Sequence, residues 1–242
     1  GGVSAIVGWG RGEGCWGGRC PDDDPLGPFP PDRFSVIAGQ THPDIFDDTH
    51  HYDVDTILSH GDFLMEDVED PVTGLGNVRD IAVLFLLEPV FSQTPVPLLS
   101  PQEAITLLEP GADVVLTGFG VHDLDTLSDG VLHLGRATVN RRLTYEMLVG
   151  GRGQADTCVG DSGGPLVTYR EDGTPVLVGI TSFTSRAGPN SHAHCGRPLT
   201  GQIYARVSGF VEWIRSRGDP STVLSHPTPK PPPSPPPTAT CT

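Results

Sequence analysis

The sequence predicts an all-β fold, and three observations carry that prediction. Of 242 residues, 31 are glycine and 25 are proline, nearly twice the ~12% that the pair averages, and both disfavour helix interiors. Short apolar runs recur between Pro-Asp, Asp-Gly and Gly-Pro turn signals, the pattern of strands joined by tight connections. A single stretch near the end carries a helical stripe.

Taken in order, residues 1–20 form an irregular, Gly-rich, unassigned segment, and an Asp- and Pro-rich stretch continues to residue 33 without a sustained period. Strand-like runs follow at Phe34–Ala38, Ile81–Leu87, Val114–Leu116, Leu166–Tyr169, Val176–Ile180 and Ile203–Val207. Val207, Phe210, Val211 and Ile214 then follow the i, i+3, i+4, i+7 spacing of an amphipathic helix. Ser208 is placed to cap it, and Gly218 and Pro220 to stop it. Residues 218–242 hold little that could be buried and read as an extended polyproline II linker or tail. Their Ser-Pro-Pro-Pro run resembles hydroxyproline-rich wall and matrix proteins, which suggests matrix or wall association.

Charge and cysteine usage exclude several classes. Thirty acidic residues against 15 Lys and Arg give a net charge of −15, the reverse of a nucleic-acid binder. The longest apolar run, Ile81–Leu87, is far too short to span a membrane. No signal peptide is visible, and the Gly-Gly-Val start reads as the inside of a longer product. The five cysteines, 15, 20, 158, 195 and 241, contain no C-x-x-C pair; their wide spacing fits secreted disulfides better than a zinc ribbon.

Chemistry concentrates in Asp156-Thr-Cys-Val-Gly-Asp-Ser-Gly-Gly-Pro-Leu166. A serine hydroxyl is a weak nucleophile, so it needs a base beside it and donors for the oxyanion that forms. Glycines at 160 and 163 allow the sharp bend that points the Gly160 and Ser162 amides at one oxygen. A nucleophile elbow of the α/β-hydrolase kind must be followed by a helix. Here Pro165, Leu-Val-Thr-Tyr, Asp172-Gly173 and Val-Leu-Val-Gly-Ile follow, which reads as two strands and a turn.

The segment resembles the nucleophile region of chymotrypsin/trypsin-family serine proteases. Four further segments agree in order: Phe34–Gly39, Asn77-Val-Arg-Asp80-Ile-Ala-Val-Leu, Leu116-Thr-Gly-Phe-Gly120, and Cys195-Gly-Arg-Pro through Trp213-Ile. The resemblance implies two six-stranded antiparallel β-barrels with a C-terminal helix. The protease domain would cover 21–217, with the first barrel incomplete. It further implies Ser162 as nucleophile, Asp80 as the carboxylate orienting the base, and Gly160 and Ser162 as oxyanion-hole amides. Asp156 stands where trypsin-like members carry the base of the specificity pocket, implying a preference for Arg or Lys. Cys158 and Cys195 match the disulfide that holds the pocket walls. Ser182, Phe183 and Thr184 replace the usual Ser-Trp-Gly edge as substrate-binding residues, and Gln202 stands where a pocket-wall glycine is usual. A second family disulfide, around Met147-Leu-Val149-Gly, is missing both halves.

The family takes its base from an Ala-Ala-His-Cys segment ahead of the Phe34 strand. Here Cys20 stands at a comparable place with Arg19 before it, and a guanidinium cannot accept a proton from serine. His60 matches a common surface histidine of the family, and His192 and His194 read as pocket-rim residues. His50 and His51 sit with Asp44, Asp47, Asp48 and Asp53 where the family has a calcium loop. Without clear ligand spacing that stretch reads as a solvated loop with no metal. Ile6-Val7-Gly8 is only weakly similar to the family's freed Ile-Val-Gly-Gly start.

The expected function is therefore that of a secreted serine endopeptidase whose sequence lacks the part bearing the catalytic histidine. It would use no cofactor, act on protein or peptide substrates, and engage neither nucleic acid nor membrane. The alternative is a non-catalytic homologue that uses the same cleft as a binding module.

Overall fold

Strands form where apolar and β-branched residues line one or both faces, and the turn residues between them set antiparallel pairings. The computed structural model describes residues 4–7, 31–42, 50–63, 74–122, 130–151, 153–184 and 201–217. In the first half, β1 (Ser4–Val7), β2 (Ser35–Ile37), β3 (His51–Ser59) and β4 (Ala82–Leu86) make a four-stranded sheet in the order β1-β4-β3-β2. All of its pairings are antiparallel, and it does not close among the described residues. The irregular composition of residues 1–20 gives no sign of β1. Its order comes from pairing with β4, which sets Val7 opposite Ala82, two residues beyond Asp80.

The second half closes. Strands β5 (Asp113–Gly118), β6 (His133–Arg142), β7 (Glu146–Val149), β8 (Pro165–Tyr169), β9 (Pro175–Thr184) and β10 (Gln202–Arg206) form a barrel in the order β10-β7-β6-β5-β8-β9. Alternation is clear in β8, where Leu166 and Thr168 point inward and Pro165 and Tyr169 outward. The expected Asp172-Gly173 turn joins β8 to β9: the Arg170 amide donates to Thr174 O, and Gly173 takes a φ of 82°. Leu116, Ala137, Val139, Met147, Leu166 and Tyr204 belong to one buried cluster inside this barrel. The two halves thus agree with a pair of antiparallel barrels, of which the second closes and the first stays an open sheet among the described residues.

Among the described residues, two short α-helices complete the frame. Helix α1 (Ala104–Leu107) is preceded by a reciprocal cap: the Ser100 amide and hydroxyl donate to Glu103 Oε2 at 3.0 and 2.6 Å, and the Glu103 amide donates to Ser100 Oγ at 3.3 Å. Glu103 Oε1 also takes Arg170 Nε at 2.7 Å. Led by that Arg170 bond and then by Ser100, these contacts bring the Glu103 carboxyl to about 2. At the C-terminal end the expected stripe forms, but its first turn, Val207–Gly209, is 3₁₀ and only Val211–Arg217 is α-helical (α2). Ser208 is buried inside that 3₁₀ turn and does not cap α2. Val207, Phe210 and Val211 pack against Ile180 and Ala205 of the barrel and against Ile81 from the first half. Neither helix is long and apolar enough to cross a membrane.

Candidate active site

The nucleophile segment is a turn leading into β8, and its backbone bonds account for its shape. The Asp161 amide donates to Cys158 O at 3.0 Å, the Gly164 amide to Asp161 O at 2.8 Å, and the Gly163 amide to Thr181 O at 2.9 Å. Gly160 takes a φ of 94°, a left-handed conformation that costs a side-chain-bearing residue energy. Within this turn Ser162 is exposed to solvent.

Asp161 locks the turn to the barrel. Its Oδ1 accepts the Gly120 amide and its Oδ2 the Cys158 amide, both at 2.8 Å. The carboxylate fills a notch in β5 and the residues after it that exists because positions 118 and 120 lack side chains. A Cβ on Gly118 would overlap Asp161 Oδ1, and one on Gly120 would come within 2.6 Å of its Cγ. The sequence shows the Gly118-Phe-Gly120 motif but not what fills it, because the partner lies 41 residues downstream.

Asp80 precedes β4 and is 1% exposed. Ser182 Oγ donates to Asp80 Oδ2 at 2.5 Å, a charge-assisted bond that fixes the carboxylate's orientation. The Ser182 hydroxyl thus serves Asp80, a role the expectation of a pocket edge did not include. Thr181 and Ser182 are neighbours on β9. One holds the turn that carries Ser162 and the other holds Asp80, so two adjacent residues tie both predicted catalytic side chains to one strand.

The predicted pocket residues converge on Thr157. Asp156 is half-buried, and its Oδ1 accepts the Thr157 amide at 2.9 Å. Gln202 is 4% exposed and its Nε2 lies 3.4 Å from Thr157 O, so the side chain that replaces a glycine is packed inward. Burial pushes the Tyr204 hydroxyl well above its ordinary range; Thr157 and Thr181 oppose this, while the charges of Asp156 and Asp161 add to it. The phenol therefore stays protonated beside these carboxylates. Phe183 packs with Leu75, Leu148 and Ile203. The Thr184 side chain, Cys195, Arg19, Cys20, His192, His194 and residues 43–49 of the acidic loop lie outside the described residues, as does any pairing of Cys195 with Cys158.

Three described histidines are placed by their ring contacts. His60 packs against Phe210 and Trp213 at centroid distances of 5.7 and 4.9 Å, and its Nδ1 accepts the Asp62 amide at 3.2 Å. Burial holds its imidazole below the usual 6.5; Asp62 opposes this, and Arg79 and Arg217 add to it. His122 and His133 stack on each other at 4.4 Å.

Comparison with known proteins agrees with this geometry. The family model described as Trypsin matches residues 18–214. Transmembrane protease serine 11C of Mus musculus is 31% identical over 57% of this chain and 34% of its own length. Ovochymase of Halocynthia roretzi is 29% identical over 62% of the chain and 10% of its own. Chymotrypsin-C of Mus musculus is 31% identical over 57% of the chain and 54% of its own. The chain matches about half or less of the length of each of these relatives. The family match extends over both halves of the fold and the whole nucleophile turn: the chain belongs to the trypsin family.

Proposed function

We propose that the protein is a serine endopeptidase in which Ser162 attacks the peptide carbonyl. The Gly160 and Ser162 amides receive the oxyanion, the amine leaves, and water releases the acyl group from the Ser162 ester. Asp80 orients the base that takes the Ser162 proton and returns it to the leaving amine, a base that Arg19 cannot be. Asp156 pairs with Arg or Lys on the substrate, with Gln202 lining the wall beside it. The protein acts outside the cell, with Cys158 and Cys195 bridged, and its Pro-rich segment attaches it to matrix or wall.

The observation that carries this reading is the joint anchoring of the Ser162 turn and Asp80 by Thr181 and Ser182. The test is hydrolysis of peptides with Arg, Lys or neutral residues ahead of the scissile bond. Wild-type protein should cleave after Arg and Lys, and Ser162→Ala should abolish turnover. Asp156→Ala should remove the basic preference, at a cost of about 2–5 kcal/mol in kcat/KM for basic substrates. Turnover no greater than that of Ser162→Ala would instead leave a non-catalytic homologue, the reading favoured by Arg19 standing where the family has histidine. Cleavage without preference for Arg or Lys would remove the role given to Asp156.

A further inference from the structure

Residues 74–80 deliver Asp80 to the site without belonging to any named strand. Their order must come from what they touch, and the contacts run to the second barrel. Leu75, fully buried, packs against Leu148 of β7 and Ile203 of β10. The Gly76 amide donates to Glu146 Oε2 at 2.5 Å. The Arg79 guanidinium lies 4.6 Å from the centroid of the Tyr145 ring. Asp80 takes the Ser182 hydroxyl. Tyr145, Glu146 and Leu148 are thus nearly consecutive, and they meet the segment at three points.

Glu146 is the unusual member of this group. It is 1% exposed, and its β7 companions Met147, Leu148 and Val149 are all buried and apolar. A leucine at 146 would suit such a strand, whereas a carboxylate withdrawn from water is costly unless it is bonded. Its bond reaches a backbone amide 70 residues away in sequence, four residues before Asp80. That amide is itself a buried donor that requires an acceptor.

We propose that Glu146 is a positioning residue: by holding the Gly76 amide it clamps the 74–80 segment to β7 and so fixes the place from which Asp80 acts. The clamp acts through Asp80 and touches no reacting atom. Its catalytic consequence rests on the proposed function, but the clamp itself can be observed without any activity.

The test is hydrogen–deuterium exchange of the full chain, read by mass spectrometry, with urea unfolding as a measure of global stability. Glu146→Ala should raise exchange across 75–80 by about tenfold or more, while peptides from β5 and β8 keep wild-type protection. Glu146→Gln retains an acceptor oxygen and should restore protection to within about threefold of wild type. Glu146→Asp keeps the charge but falls one methylene short, so it should loosen the segment as Ala does; it carries the test if Glu146→Ala fails to fold. Unchanged exchange at 75–80 in Ala and Asp variants, or an increase spread evenly over the barrel, would overturn the proposal. In parallel, Glu146→Ala should lower kcat with little change in KM. Absence of turnover in wild-type protein would count against the endopeptidase reading and leave the exchange result to decide the clamp.

Discussion

The open sheet of the first half and the closed barrel of the second use similar short antiparallel strands but hold the site differently. In the barrel every strand has two neighbours, and side chains from all sides fill one interior. The nucleophile turn is bonded at several points to that frame, through Thr181 O and the Gly120 and Val121 amides. The first sheet ends in β1 and β2 at its edges. The first half's catalytic candidate, Asp80, lies just ahead of β4 and makes its Ser182 bond with the opposite half of the molecule. Ile81, the next residue, packs with Ile180 and Phe210 in the same way. A site shared between two halves is thus held chiefly by the closed one.

Substitutions can break or sharpen this contrast. The largest stability effect should come from Leu166→Ala, which empties a fully buried position of the barrel and should cost about 2–5 kcal/mol in urea unfolding. Ile37→Ala, at a half-buried position of the edge strand β2, should cost less than about 1 kcal/mol. Equal costs would remove the distinction between the halves. Gly118→Ala is next: the added methyl meets the Asp161 carboxylate and should destabilise by about 1–3 kcal/mol. It should also shift the Ser162 turn, detectable as a selective rise in hydrogen exchange at 158–164.

Within the closed half, the smallest effect belongs to the barrel's periphery. Glu103→Ala removes the cap on α1 and should cost about 1 kcal/mol at neutral pH, since solvent screens the Arg170 pair. The native carboxyl titrates at about 2 against an ordinary 4.5. Its contribution is therefore fully present above about pH 4.5 and is lost as the pH falls toward 2. Stability measured from pH 7 down to pH 2 should show the wild type and Glu103→Ala converging; a difference that persists at pH 2 would assign the effect to packing.

Much of this architecture is legible in the sequence because it is local. The runs around β4, β5, β8, β9 and β10 carry their own apolar pattern, and Asp172-Gly173 states its turn. Strand β6, His-Leu-Gly-Arg-Ala-Thr-Val-Asn-Arg-Arg, does not, because only Ala137 and Val139 of its ten residues are buried. Strand β3 hides likewise behind polar residues, with Val54 its one buried side chain. The candidate site divides on the same principle. Ser162, Gly160, Asp80 and Asp156 stand in contiguous motifs. The bonds from Ser182 to Asp80, Asp161 to Gly120 and Glu146 to Gly76 join residues 102, 41 and 70 positions apart, and no local pattern encodes them.

The central claim is that Asp80, held by the closed barrel, acts together with Ser162. It is tested most directly by the rate at which a fluorophosphonate labels Ser162, with the adduct mapped by mass spectrometry, in wild-type protein and in Asp80→Asn. The expected result is labelling of Ser162 alone, slowed on the order of 10³-fold or more by the substitution. Equal rates in the two proteins, or an adduct on another residue, would contradict it.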